Sequence, residues 1–176
     1  RTTGYEPRLL RAQFERGASI FGCDEHAVMS NGDGVLDVAG PLKVTPIATL
    51  EVDMGRYGVD GMTTDSWLNT VVFMKAWDIL LSEEVYRRHD WVVKVDPDTV
   101  FMPARLRPVV RRFPEPAGGV YLNGCRYGLH GPMEVFSRGA VDAWATGSAR
   151  CVEHFRRQCD GPCPWGEDKF IDECLG

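Results

Sequence analysis

A short apolar run that ends abruptly in two carboxylates constrains the fold of this chain more than any other feature. Residues 91–95 read Trp-Val-Val-Lys-Val, and Asp96-Pro97-Asp98 follows directly. A short Val-rich run of this kind is typical of a strand buried in an α/β sheet, which binds ligands at the carboxyl ends of its strands. Pro97 stiffens the backbone between two carboxylates whose hard oxygens suit Mg²⁺ or Mn²⁺. The pattern therefore predicts a metal or ligand site, and a solvated turn is the alternative.

Composition narrows the class of protein. The chain has 176 residues, of which 44% are hydrophobic and 26% are charged, as expected for one globular domain. The net charge of −5 and the lack of a basic run with interleaved aromatics argue against a nucleic-acid partner. Its apolar stretches are too short for a membrane span, so we expect no membrane contact by this segment, although a full-length protein could carry an anchor.

The number and clustering of the cysteines bear on the cellular compartment of the protein. Four of the six fall in the last 26 residues, and the full set is Cys23, Cys125, Cys151, Cys159, Cys163 and Cys174. This clustering favours disulfides formed in the secretory pathway, with no connectivity implied. Zinc bound by the last four is less favoured because no close CxxC pair is present, and reduced cytosolic thiols are a third possibility.

Alternating elements predict an α/β sheet flanked by helices. The expected helices are Pro7 to Gly17, Asp65 or Ser66 to Leu81, Pro103 to Phe113, Ser137 to Ala145 and Glu167 to Leu175. The expected strands are residues 19–23, 47–52, 91–95, 119–122 and 133–136. Residues 30–40 read as an irregular connection or hairpin, and the glycine-containing loop 54–64 as a segment that closes over a ligand.

A second acidic pair, Glu167-Asp168, begins the last helix after Pro164-Trp165-Gly166. If the first pair holds a divalent cation, a carboxylate of the second could accept a proton from an attacking hydroxyl. Desolvation beside Trp165 would raise the pKa of such a base. The alternative is helix capping, because acidic residues in a first turn complement the helix dipole.

Three ordered features resemble metal-dependent glycosyltransferases of the GT-A fold, particularly the fringe-like and core galactosyltransferase branch. The first is the strand that leads into Asp96-Pro97-Asp98-Thr99-Val100-Phe101, similar to the DxD element. The second is the glycine-containing stretch 127–131 ahead of Glu134-Val-Phe-Ser137-Arg138. The third is Trp165-Gly-Glu-Asp168, similar to the acidic motif that supplies the base.

The resemblance implies a Rossmann-like mixed sheet and an inverting transfer of a sugar from a uridine diphosphate sugar to an acceptor hydroxyl. Mn²⁺, or Mg²⁺, would bridge the donor phosphates, with Asp98 as direct ligand and Asp96 near the ribose or the metal waters. Asp168, or its neighbour Glu167, would deprotonate a glycan or glycoprotein acceptor. The family also implies the Golgi lumen or the extracellular space.

The remaining donor contacts also follow from the resemblance. Gly128, His130 and Gly131 would line the floor near the sugar, although a histidine in a glycine loop can be purely structural. By strand alternation, Lys94 points either towards the donor or to the sheet edge. We interpret residues 1–176 as one catalytic domain truncated at both ends, because the first strand of the fold and a later histidine metal ligand are missing.

Two other classes fit less well. A phosphatase of the haloacid dehalogenase type needs a threonine four residues after its nucleophile, whereas Thr99 follows Asp96 by three, and no lysine lies between Lys94 and Lys169. A non-catalytic secreted module that binds sugar or Ca²⁺ is the other alternative. Asn31-Gly-Asp-Gly34 lacks the regular ligands of a calcium loop, so a plain turn is the better interpretation.

Overall fold

The protein is a mixed α/β chain with small sheets. A computed structural model describes residues 4–31, 42–47, 51–59, 68–126, 128–158 and 166–176. In chain order these form α1 (Glu6–Glu15), β1 (Val28–Asn31), β2 (Val44–Ile47), α2 (Thr70–Glu83), β3 (Trp91–Val95), α3 (Pro103–Val110), β4 (Tyr121–Leu122), β5 (Met133–Ser137), α4 (Arg138–Gln158) and α5 (Glu167–Leu175). The chain divides into two compact units, unit 1 (Arg1–Leu50 and Val95–Pro114) and unit 2 (Glu51–Lys94 and Glu115–Gly176).

Unit 1 contains a two-stranded parallel sheet. β1 and β2 pair with Val28 opposite Val44, so these two strands do not form a hairpin with each other. Residues 32–41 lie outside the described residues, so only Asn31 of the Asn31-Gly-Asp-Gly34 turn signal is described. The small core of this unit forms where Leu10 of α1 meets Val28 of β1.

The first helix is confirmed. Proline stands in the first turn of α1, and the helix ends just before Gly17, whose φ of +57° lies in the left-handed region that favours glycine. The strand predicted for residues 19–23 is wrong, because Ser19–Gly22 is a 3₁₀ helix. Its apolar side chains Ile20 and Phe21 pack against the Leu10 core, so burial is achieved without a partner strand.

The helix predicted from Pro103 is confirmed, and its apolar side chains differ in burial. Val110 is buried, whereas Val109 and Phe113 are each 44% exposed. Adjacent helical residues point about 100° apart, so only one of the two valines faces inward. Phe113 lies beyond the last helical residue, and the periodicity no longer applies to it.

Unit 2 contains a three-stranded sheet in the order β3, β5, β4. The central strand β5 pairs antiparallel with β4, and its residues from Glu134 to Ser137 are buried. The core includes the aromatics Trp77, Trp144 and Phe170, with the Trp77 ring edge-on to Phe136 at 5.3 Å. Helices α2, α4 and α5 supply most of the side chains that cover this core.

Most predicted elements of unit 2 are confirmed, with changes at their ends. Ser137 caps α4 as expected, because its Oγ accepts a hydrogen bond from the Ala140 N–H at 3.3 Å. The helix runs to Gln158 rather than Ala145, since Phe155 and its neighbours continue the buried face. The strand expected at 47–52 is wrong in its bounds, because it shares only Ile47 with β2 of unit 1 and residues 51–52 are not in a strand. Residues 48–50 lie outside the described residues.

One disulfide joins α4 to α5. Cys151 and Cys174 are bonded, with their Cα atoms 5.8 Å apart. The disulfide prediction is thereby confirmed for this pair, and a zinc site that uses all four late cysteines is excluded. Cys159 and Cys163 lie outside the described residues. Among the described helices, none is long and apolar enough to cross a membrane.

Candidate functional site

The Asp-Pro-Asp motif forms a tight turn directly after β3. The turn is closed by a hydrogen bond from the Thr99 N–H to the Asp96 carbonyl oxygen at 3.0 Å. The Gln13 side chain of α1 donates to the Pro97 carbonyl at 2.7 Å, which anchors the turn within unit 1. The predicted strand-to-turn geometry is therefore present, and the Asp98 side chain is exposed at its tip.

Tyr5 holds the Asp98 carboxylate. The Tyr5 hydroxyl donates to Asp98 Oδ2 at 2.6 Å. This hydrogen bond, followed by the carboxylate charge, raises the pKa of Tyr5, so the phenol remains a donor. Asp98 is thus an oriented acceptor on the surface of unit 1.

The turn fits a divalent cation only if a ligand supplies further oxygens. Within the described part of the chain, no group of three or more His, Cys, Asp or Glu side chains could hold a metal ion. Asp96 and Asp98 offer carboxylates alone, and Mg²⁺-type ions are commonly held by one or two carboxylates together with substrate phosphates. The donor set therefore matches a cation that arrives with a phosphorylated ligand.

Unit 2 contains a buried ion cluster of Lys94, Glu134 and Glu167. The Lys94 Nζ lies 3.2 Å from Glu134 Oε1 and 3.3 Å from Glu167 Oε2. Glu134 is 0% exposed and Glu167 is 2% exposed. Lys94 also donates to the Gly131 carbonyl oxygen, and its Nζ lies 4.4 Å from the centre of the Phe73 ring.

Burial sets the protonation of this cluster. Desolvation, followed by the charge of Glu167, raises the pKa of Glu134 to about 10 although Lys94 opposes the shift. Burial also raises the pKa of Glu167, opposed by the charge of Lys94 and by a hydrogen bond from Glu134. The raised pKa makes Glu134 the neutral partner of the pair at neutral pH.

Two aspartates of α5 hold residues 128–131, the glycine loop. The Gly131 N–H donates to Asp168 Oδ2 at 2.9 Å, and the Leu129 N–H donates to Asp172 Oδ1 at 3.2 Å. Residues four apart lie on one face of a helix, so α5 presents both carboxylates to the same loop. The loop backbone is thus fixed by the helix that carries the acidic motif.

Glycine is required at position 128. Its φ is +123°, and a Cβ there would overlap the Asp172 carboxylate. His130 is exposed beside it. Burial and then Asp172, through its charge and a hydrogen bond, raise the pKa of Tyr121, so that phenol also stays protonated. The asparagine before α2, Asn69, accepts the Glu167 N–H at 3.0 Å and helps to fix the start of α5.

The structure brings some of the predicted site residues together. Within unit 2, Lys94 contacts both Gly131 and Glu167, and Gly131 in turn contacts Asp168. Gly128 and His130 belong to the same loop as Gly131. Asp96 and Asp98 lie together in the turn of unit 1. Trp165, expected to desolvate the base, and residue 127 lie outside the described residues.

Sequence reasoning missed two residues of this site. Glu134 was noted only within a predicted strand and a resemblance motif, with no role of its own, yet a single charge between Met133 and Val135 is itself a signal of a buried ionic partner. Asp172 could have been found from its position four residues after Asp168 on the predicted helix.

No protein-family model, curated protein or solved structure matches the chain.

Proposed function

We propose that this chain is the catalytic domain of an inverting glycosyltransferase of the GT-A type. It would transfer a sugar from a uridine diphosphate sugar to a hydroxyl of a glycan or glycoprotein acceptor in the secretory lumen or outside the cell. The observation that carries the proposal is that β3 leads straight into a turn bearing Asp96 and the exposed Asp98. Strand ends of this kind are common ligand sites in α/β sheets.

The turn would bind the donor diphosphate together with Mn²⁺ or Mg²⁺. Such a cation, when bound, neutralises the charge that develops on a departing diphosphate. Asp98 would be the direct ligand through its carboxylate, with Tyr5 keeping that carboxylate oriented from its Oδ2 side. Asp96 would contact the ribose or waters around the cation.

The acceptor hydroxyl would lose its proton to Asp168 rather than Glu167. Glu167 is almost completely buried and its carboxylate is engaged by Lys94 and Glu134. Asp168 is half-buried, and within the described residues it accepts hydrogen bonds from the N–H groups of Gly131 and Lys169. A carboxylate held by two N–H donors still has lone pairs to accept a proton from a substrate.

Donor binding is tested by calorimetric titration of uridine diphosphate with Mn²⁺ and with a chelator. We expect binding only with Mn²⁺ and its loss in Asp98→Asn. The matched control is Asp78→Asn, an exposed aspartate of α2 whose ion pair with Lys75 lies on the same helix. Unchanged Mn²⁺-dependent binding in Asp98→Asn would refute the ligand assignment.

The base is tested by turnover of uridine diphosphate sugars after donor binding has been established. Asp168→Asn keeps an oxygen that can accept the Gly131 N–H, so we expect donor binding to persist while turnover falls by about 10²–10⁴-fold. Full turnover in this variant would place the base elsewhere. Donor binding without turnover in the unmodified chain would favour the non-catalytic sugar-binding alternative.

A further inference from the structure

The buried ion cluster contains more acid than base. Among the described residues, the ammonium group of Lys94 lies against two carboxyls, and the other charge that acts on Glu167 is the neighbouring Asp168. With both glutamates ionised, the cluster would hold an uncompensated negative charge in a site that is 0% to 2% exposed. A buried charge without a partner is strongly unfavourable, so one proton must neutralise it.

The hydrogen bonding leads to the same conclusion. Within the described residues, Glu134 Oε2 and Glu167 Oε1 are buried atoms that no N–H or O–H of another group reaches. Two ionised carboxylates are acceptors only, and neither could satisfy the other. A single proton on one of them converts the contact between the two side chains into a hydrogen bond.

We infer that Glu134 and Glu167 share one proton and that Glu134 is a positioning residue that holds Lys94 against the glycine loop. The three N–H donors of the ammonium point to three oxygens, those of Glu134, Glu167 and the Gly131 carbonyl. The other side of the same glycine is held by Asp168. Gly131 is therefore fixed through both its carbonyl oxygen and its N–H, and the cluster sets where Asp168 meets the loop.

The sharing of a proton does not depend on the proposed function. Its importance for Asp168 as the catalytic base does rest on that function. Infrared spectroscopy of the protein labelled with ¹³C-glutamate tests the sharing without substrate, so its failure is distinct from failure of the transferase proposal. We expect one band of a neutral carboxylic acid at pH 7. The band should vanish in Glu134→Gln and in Glu167→Gln, because each leaves one carboxylate to pair with Lys94.

Amide hydrogen exchange tests the positioning role. Glu134→Gln, an isostere of the neutral acid, should keep the wild-type protection of the Leu129 and Gly131 amides. Glu134→Leu removes the acceptor for Lys94, and the Gly131 amide should then exchange on the order of tenfold faster, the loss expected for one hydrogen bond. The matched control is Glu173→Gln, an exposed glutamate on α5 that should change neither readout.

Absence of an acid band in the wild-type protein at pH 7 would overturn the inference, because both glutamates would then be ionised. A band that persists in both Gln variants would also overturn it by assigning the proton to another group. Equal Gly131 exchange in Glu134→Leu and Glu134→Gln would refute the positioning role.

Discussion

Replacing Lys94 with Met removes the only cation of the buried ion cluster. The methionine fills a similar volume, so the change isolates the loss of the ammonium group. Glu167 is left without its cation at 2% exposure, and it can avoid a bare buried charge by taking up a proton. We therefore expect Lys94→Met to contain two neutral glutamates.

The free energy needed to bind that extra proton sets the size of the destabilisation. Protonating a carboxyl of ordinary pKa about 4.3 at pH 7 requires about 3.7 kcal/mol, at about 1.36 kcal/mol for each pH unit. We expect a destabilisation of about 4 kcal/mol at pH 7, within the range for breaking a buried ion pair. Because the folded variant holds one more carboxyl proton than the folded wild-type protein, its penalty relative to the wild type shrinks as the pH falls towards 4.3. At pH 5 about 1 kcal/mol should remain.

Urea unfolding followed by tryptophan fluorescence measures this difference. All five tryptophans belong to unit 2, so the signal reports the unit that holds the cluster. Lys75→Met, an exposed lysine of α2, is the control and should change stability by less than about 0.5 kcal/mol. Adding Glu167→Gln to Lys94→Met should recover most of the loss at pH 7. A penalty equal at pH 5 and pH 7 would refute the argument, because Glu167 would not then be taking up the proton.

Three further outcomes follow from the contacts of unit 2. Glu134 has a pKa of about 10 in the folded protein, so its contribution to the free energy of unfolding is fully present below about pH 4.5 and is lost as the pH rises towards that pKa. Glu134→Gln should therefore flatten the fall in stability between pH 5 and pH 9, measured by urea unfolding. Reducing the Cys151–Cys174 disulfide, which spans 23 residues, should cost about 3 kcal/mol, seen as a lower thermal midpoint with a reductant. Gly119→Ala should destabilise the protein by about 2–4 kcal/mol, because φ is +80° and a Cβ would overlap the backbone of α4. Gly118→Ala is the control and should leave the thermal midpoint unchanged, since a Cβ at that position meets open space.

Local patterns predicted the elements of this chain well where short-range chemistry decides the outcome. The apolar run before Asp96 is a strand, and Pro103 and Ser137 begin helices as expected. The errors occur where packing against a distant segment decides. Residues 19–23 carry an apolar pattern that suits a strand, yet they form a 3₁₀ helix because the Leu10 core buries them without a pairing partner.

The residues of the candidate site also divide into those that the local sequence reveals and those that only the fold brings together. The two acidic pairs are visible in the sequence because their residues are adjacent. Glu134 was missed because its partners lie 40 residues before it and 33 after it in the chain, and no local spacing links them. Burial, the largest cause of the raised pKa of this glutamate, is a property of the folded sheet.

The environments of Glu167 and Asp168 explain why a pair of adjacent acids can have two roles. Consecutive residues of a helix point about 100° apart, so one side chain of such a pair can face the core while the other faces the edge. Glu167 faces Lys94 and Glu134 in the core, whereas Asp168 faces the glycine loop. Exchanging the two residues would place the shorter side chain in the core, where it would fall short of Lys94 by about one methylene. The order Glu-Asp is therefore set by packing, and of the two acids Asp168 is the one that a substrate could reach.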